Sequence, residues 1–102
     1  MSRRTAVPVR LPDGARAYKR TPVFTEATVP AALRSDHSTK AGVWGLLQVS
    51  AGSLTYVVAG TGEETVLGAG ASAVIRPQER HRVVVDGPVA FFIEFHRIVG
   101  SG

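Results

Sequence analysis

Val89-Ala90-Phe91-Phe92-Ile93-Glu94-Phe95-His96-Arg97, residues 89–97, is the stretch that decides the fold class. It has the length of a β-strand, and side chains in a strand alternate between two faces. Phe91, Ile93 and Phe95 then share one face, which is a core stripe; Phe92, Glu94 and His96 share the other. Moving outward, Asp86-Gly87-Pro88 is a turn, and His81 to Val85 (HRVVV) is a strand before it. Pro77 stops the strand Ala71 to Arg76, and Gly68-Ala69-Gly70 separates that from a short strand, Glu64 to Leu67. Gly60-Thr61-Gly62-Glu63 is a turn after Leu54 to Ala59 (LTYVVA). Ala51-Gly52-Ser53 is read as a turn closing the apolar run Val43 to Ser50 (VWGLLQVS). Short β-rich runs with turns roughly every eight to ten residues, and no sustained helical period, predict an all-β sandwich or barrel.

The first part of the chain is less regular. Pro8 and Pro12 forbid a helix in the leader, and Pro12-Asp13-Gly14 is a turn signal. Tyr18 to Phe24 is extended and belongs at a sheet edge, because Pro22 cannot donate to a ladder. Pro30-Ala31-Ala32-Leu33 is either one helical turn begun by proline or the approach to a strand. The reading divides the chain into an extended leader over residues 1–10, one β domain over 11–98 and a tail over 99–102.

Composition narrows the class of function. At 102 residues the chain is expected to be a single small domain. No apolar run has the length of a membrane helix, and no apolar segment follows the basic Met1-Ser2-Arg3-Arg4, so neither a membrane span nor a secretory leader is expected. Cysteine is absent, which excludes disulfides and thiolate metal sites and makes the cytoplasm the expected setting. The net charge is +4, but Lys and Arg are scattered with no dense run, so a nucleic-acid partner is not expected. No phosphate loop, dinucleotide fingerprint or Ser-His-Asp order is present, and no nucleotide cofactor is expected.

Alternation also orients the candidate site residues. His81 shares a face with Val83 and Val85 and is expected to point inward. Counting back from Val43, the set His37, Thr39, Ala41, Val43 and Gly45 shares a face, which turns His37 inward if the strand is regular that far.

These residues carry a resemblance. Gly45, then Gly52-Ser53-Leu54-Thr55-Tyr56, is similar to the end of the first cupin motif; Gly70, then Pro77-Gln78-Glu79-Arg80-His81, is similar to the second. The ordered set Tyr18 to Phe24, Val29-Pro30-Ala31, His37 to Gly45, Pro77 to Val83 and Phe91 to Phe95 resembles the tellurite-resistance TehB N-terminal/YeaR-like family, over about residues 11–97. The resemblance implies a small cupin-like β-barrel of jelly-roll type, found alone or fused to a methyltransferase. It also marks three departures, one of them a second motif that is one residue tight between Pro77 and His81. Gly45 stands where the cupin motif has a ligand glutamate, and the paired histidines of that motif are reduced to His37. His37 and His81 survive from the implied ligand set.

Two imidazoles need a further ligand to hold a divalent metal firmly. Glu94, an acid in a strand otherwise made of Phe and Ile, is the first candidate, with His96 next and Glu79 third. Two histidines and a carboxylate suit zinc, iron, nickel or manganese. Each residue also has a plainer reading. His37 is alternatively a loop histidine bonded to backbone, Glu94 pairs with Lys40 or an arginine, and His96 ends a strand in solvent. Trp44 and Tyr56 line a pocket or simply pack. The expected function is binding of a divalent metal or a small anion in a resistance or stress-response role; the alternative is a metal-dependent cupin enzyme acting on a small molecule. A homodimer is expected, because small cupins expose sheet edges that a partner can cover.

Overall fold

The computed structural model describes residues 11–98. The leader expected over 1–10 and the tail over 99–102 lie outside the described residues. Seven strands form one antiparallel all-β domain, and no helix among the described residues is long and apolar enough to cross a membrane. Strand β1 is Ala15–Arg20, β2 Phe24–Thr25, β3 Trp44–Val58, β4 Glu63–Gly68, β5 Ser72–Ile75, β6 His81–Val84 and β7 Val89–Ile98. Ala31–Arg34 is a single 3-10 turn begun by Pro30, the helical option for that segment.

The long β3 organises everything else. Its first half lies between β7 and β5, and its second half between β4 and β6. β1 and β2 pair with the other side of β7. The turn expected at Ala51-Gly52-Ser53 is not made. The register against β7 slips between Val49 and Ala51, and Gly52 takes φ +69°, so the strand bends and continues. Only glycine fits there: a Cβ on Gly52 would sit 2.0 Å from the carbonyl oxygen of Pro88. A bulge in one strand leaves the chain direction unchanged, whereas a hairpin turn reverses it. The sequence Ala-Gly-Ser permits both.

The expected closed barrel is not formed. The path of paired strands runs β1-β7-β3-β4 and ends in two free edges. The strands branching from it, β2, β5 and β6, have two, four and four residues. They are too short to carry a ladder from one edge round to the other. Instead the bent sheet wraps a core of Leu47, Val49, Leu54, Tyr56, Ile75, Phe91 and Ile93, all nearly inaccessible. The alternation expected in residues 89–97 holds from Val89 to Glu94, with Phe91 and Ile93 buried and Phe92 and Glu94 half-buried on the opposite face, and lapses at the end, where Phe95 is half-buried and His96 buried.

Candidate functional site

His37 and His81 meet, but not by the strand parity that suggested it. Residues 38–43 are a loop with a turn at Gly42 (φ +77°), so no regular strand runs back from Val43 to His37. The two histidines form an isolated antiparallel bridge instead. The His37 N–H donates to the His81 carbonyl at 3.0 Å, and the His81 N–H donates to the His37 carbonyl at 2.8 Å. Beside them, Arg82 and Asp36 form an ion pair at 3.1 Å. Directly bridged residues share a face, and the imidazole centroids stand 4.3 Å apart with planes tilted by 58°. His37 thus does bond to backbone, and it also presents its ring to His81.

Three side chains converge here. Val83 pairs with Tyr56 across β6 and β3, and His81 follows two residues away on the same face. The Tyr56 and His81 rings are 5.6 Å apart. Both residues are almost completely buried. The loop Pro77-Gln78-Glu79 fixes the His81 ring. Gln78 adopts φ 62°, a left-handed conformation uncommon for a residue with a Cβ. Glu79 then offers its backbone carbonyl 2.8 Å from His81 Nδ1. A carbonyl only accepts, so Nδ1 carries the hydrogen and the neutral ring keeps its lone pair on Nε2. Burial lowers the His81 pKa below its ordinary 6.5, and the nearby His37 adds to this; the Glu79 bond and the charge of Asp36 oppose it. Burial likewise raises the Tyr56 hydroxyl far above the usual tyrosine range, helped by Glu79 and opposed by Arg76. At neutral pH His81 and Tyr56 are therefore uncharged.

The cluster is also unsatisfied. His37 Nδ1 and Tyr56 Oη are buried with no hydrogen-bond partner. Leaving a buried polar group unpaired costs about 1–3 kcal/mol. Such atoms are rare in native folds, where buried polar groups are otherwise paired.

The other nominated residues lie elsewhere. Glu94 faces away from the core and does not join the histidine pair. Its carboxylate accepts from His96 Nε2 at 3.0 Å and stands 3.9 Å from Arg20. Of the two partners expected for Glu94, Lys40 or an arginine, the structure supplies the arginine, Arg20, the residue opposite it in β1. His96 is buried rather than solvated at a strand end, and its Nδ1 has no partner. Trp44 lies opposite His96 on the same outer face, half-buried. Glu79 pairs through its side chain with Arg76 at 3.6 Å. Lys40 is exposed in the loop before β3 and lines an open cavity with Tyr18, Lys19, Thr39, Val43 and Phe95.

A metal held by three acidic or imidazole side chains does not fit this arrangement. Among the described residues no group of three or more His, Cys, Asp or Glu is placed to hold one. The slot of the missing ligand is filled: a Cβ on buried Gly45 would stand 3.1 Å from Cδ1 of Ile75, itself fully buried. The donors that remain are two imidazoles and one phenol. Sequence reasoning placed Tyr56 only as a lining residue, because a tyrosine in an apolar strand carries no mark of an unpaired hydroxyl. It missed Gln78 altogether, whose left-handed backbone has no signature without glycine.

The model of the TehB-like domain matches residues 19–93. Among solved structures the chain is similar to TehB from Haemophilus influenzae, with a TM-score of 0.73 and 26% identity over 84% of this chain. It spans only 32% of that protein's chain. It is also similar in fold to a protein from E. coli strain K12, with a TM-score of 0.81 and 22% identity, covering 91% of this chain and 100% of that one. No curated protein sequence matches it.

Proposed function

The chain belongs to the TehB-like domain family, and from that premise we propose that it is a binding module, a reduced cupin of jelly-roll type that takes an exchangeable divalent cation at the His37–His81 pair with Tyr56 beside it. The observation that carries this reading is the two buried polar atoms without partners, His37 Nδ1 and Tyr56 Oη, beside the His81 ring. The neutral His81 ring, whose Nδ1–H is already engaged by the Glu79 carbonyl, offers the electron pair of Nε2, which attracts a cation and repels an anion. Imidazole donors favour zinc, nickel and iron(II) over manganese. The resemblance to the tellurite-resistance family supplies the setting, a resistance or stress response in the cytoplasm. The enzyme reading asks for a third protein ligand as well as open positions, and Glu94, its nominee, is engaged on the opposite face. Binding is therefore preferred to catalysis.

Calorimetric titration with zinc, nickel and manganese tests this. The expected result is one cation per chain, zinc and nickel ahead of manganese, with binding abolished in His81→Ala and weakened in His37→Ala. Because His81 is buried, the circular dichroism of its variant is measured alongside; the half-buried His37 supplies the second, milder variant. Equal binding by wild type and both variants, or no binding of any of the three metals, would overturn the reading.

A further inference from the structure

A second site stands apart from the imidazole pair. β1 pairs with β7 in regular register from Ala15 to Ala17, then slips by one residue, so that Lys19 and not Tyr18 stands opposite Phe95. Cross-strand partners share a face. The bulge thus turns the exposed Lys19 onto the face that carries Phe95, where an uninterrupted register would have set Tyr18. Re-aiming a side chain is what bulges at sheet edges do. The displaced Tyr18 ring is held by Arg97, whose guanidinium lies 4.0 Å from the ring centroid. Lys40 comes from the loop before β3. The result is an open cavity of about 220 Å³ with a mixed wall, in which Val43, Phe95 and the Tyr18 ring stand beside Thr39 and two ammoniums, Lys19 and Lys40.

The charge here is uncompensated. Arg16 stands directly opposite Arg97 in the same ladder, on the Phe95 face, a like-charge pairing that sheets ordinarily avoid. Among the described residues, none of Arg16, Lys19, Lys40 and Arg97 is in an ion pair; the salt bridges of this domain use Arg20, Arg76 and Arg82, with His96. Glu94, the nearest acid in β7, is on the other face with Arg20 and His96. Among the described residues, two ammoniums and no carboxylate line this cavity, and Arg16 and Arg97 add charge in the neighbouring ladder, which defines the missing partner by its chemistry.

We infer that this cavity binds a small organic anion, one carboxylate or phosphate on an apolar body, with the anionic group between Lys19 and Lys40 and the body against Phe95 and Tyr18. A volume near seven waters, at about 30 Å³ each, takes a ligand the size of a benzoate ion. The site is independent of the imidazole pair and stands or falls without it.

The test is titration of the full chain with sodium benzoate and, separately, with inorganic phosphate in low-salt buffer, followed by amide chemical shifts. Benzoate is expected to saturate one site, shifting the amides around Lys19, Lys40 and Phe95. Lys19→Gln and Lys40→Gln should each weaken it by about three- to fivefold, as for an exposed charge pair, and added salt should weaken it further. Arg80→Gln, on a different loop, should leave it unchanged. Phosphate, lacking an apolar body, should bind at least several-fold more weakly. The inference is overturned if benzoate does not saturate, if the double lysine variant binds it as wild type does, if Arg80→Gln weakens it equally, or if phosphate binds as tightly as benzoate.

Discussion

Tyr56→Phe is the most informative single change in this domain, because two explanations of the residue predict opposite signs. The Tyr56 side chain is 1% exposed and its hydroxyl has no partner. Replacement by phenylalanine keeps the ring and its packing and removes only that oxygen. A buried hydroxyl left unpaired costs about 1–3 kcal/mol, so the variant should be more stable than wild type by about 1 kcal/mol at the lower bound. For a domain of this size that raises Tm by about 4–8 °C, and it moves a urea midpoint upward by roughly 0.5 M. The assay is urea unfolding followed by far-ultraviolet circular dichroism, first with a chelator and then with excess zinc. In chelator the variant should be the more stable protein. In zinc the gap should narrow or reverse, because a cation that binds only the folded state stabilises it in proportion to its affinity, and the variant has lost an oxygen beside the cation. A variant less stable than wild type in chelator by about 1 kcal/mol would refute the reasoning. That is the signature of a hydroxyl already hydrogen-bonded in the free protein.

The remaining predictions concern the backbone, the filled slot and pH. Gly52→Ala should cost more than about 2 kcal/mol, since a left-handed backbone and a clash with the Pro88 carbonyl act together; chemical denaturation measures it. Gly45→Glu should fail to restore the missing ligand of the family motif, and should destabilise by several kcal/mol by driving a carboxylate against Ile75; metal titration with the same denaturation series checks both halves. His81 binds a proton less readily in the fold than in the unfolded chain, where it titrates near 6.5. The unfolded chain therefore takes up more protons as pH falls, so stability is steady above about pH 7 and declines below 6.5 until the folded ring also titrates. In His81→Gln that part of the decline should disappear from a pH series of unfolding midpoints.

The sequence made the fold class legible because its strongest signals are local. Residues 89–97 alternate in sequence, and the structure keeps Phe91 and Ile93 inside and Glu94 on the other face, losing the pattern only at Phe95 and His96. Pro12-Asp13-Gly14 makes its turn, with the Ala15 N–H bonded to the Pro12 carbonyl. What failed to read through was nonlocal. Whether Ala51-Gly52-Ser53 reverses the chain or bends it depends on Pro88 approaching Gly52 from the neighbouring strand. Barrel closure depends on the lengths of β2, β5 and β6, which the turn signals around them do not measure. The site followed the same division. His81 was oriented by its own strand. His37 reached it through a bridge formed across a loop, so the parity count arrived at the right neighbour by a route the chain does not take. Glu94 was nominated because an acid among Phe and Ile looks stranded, but Arg20 and His96 supply its partners on the outer face. The one-residue slip that aims Lys19 into the cavity belongs to the pairing of β1 with β7, and neither strand alone encodes it.

The account rests most directly on the state of the His81 ring, and long-range proton–nitrogen correlation of the histidine side chains measures it. At pH 7 the account predicts Nδ1 with the shift of a protonated nitrogen and Nε2 with that of a bare one, the latter moving on addition of one equivalent of zinc. A proton found on Nε2, or a bare Nε2 that zinc leaves unmoved, would contradict it.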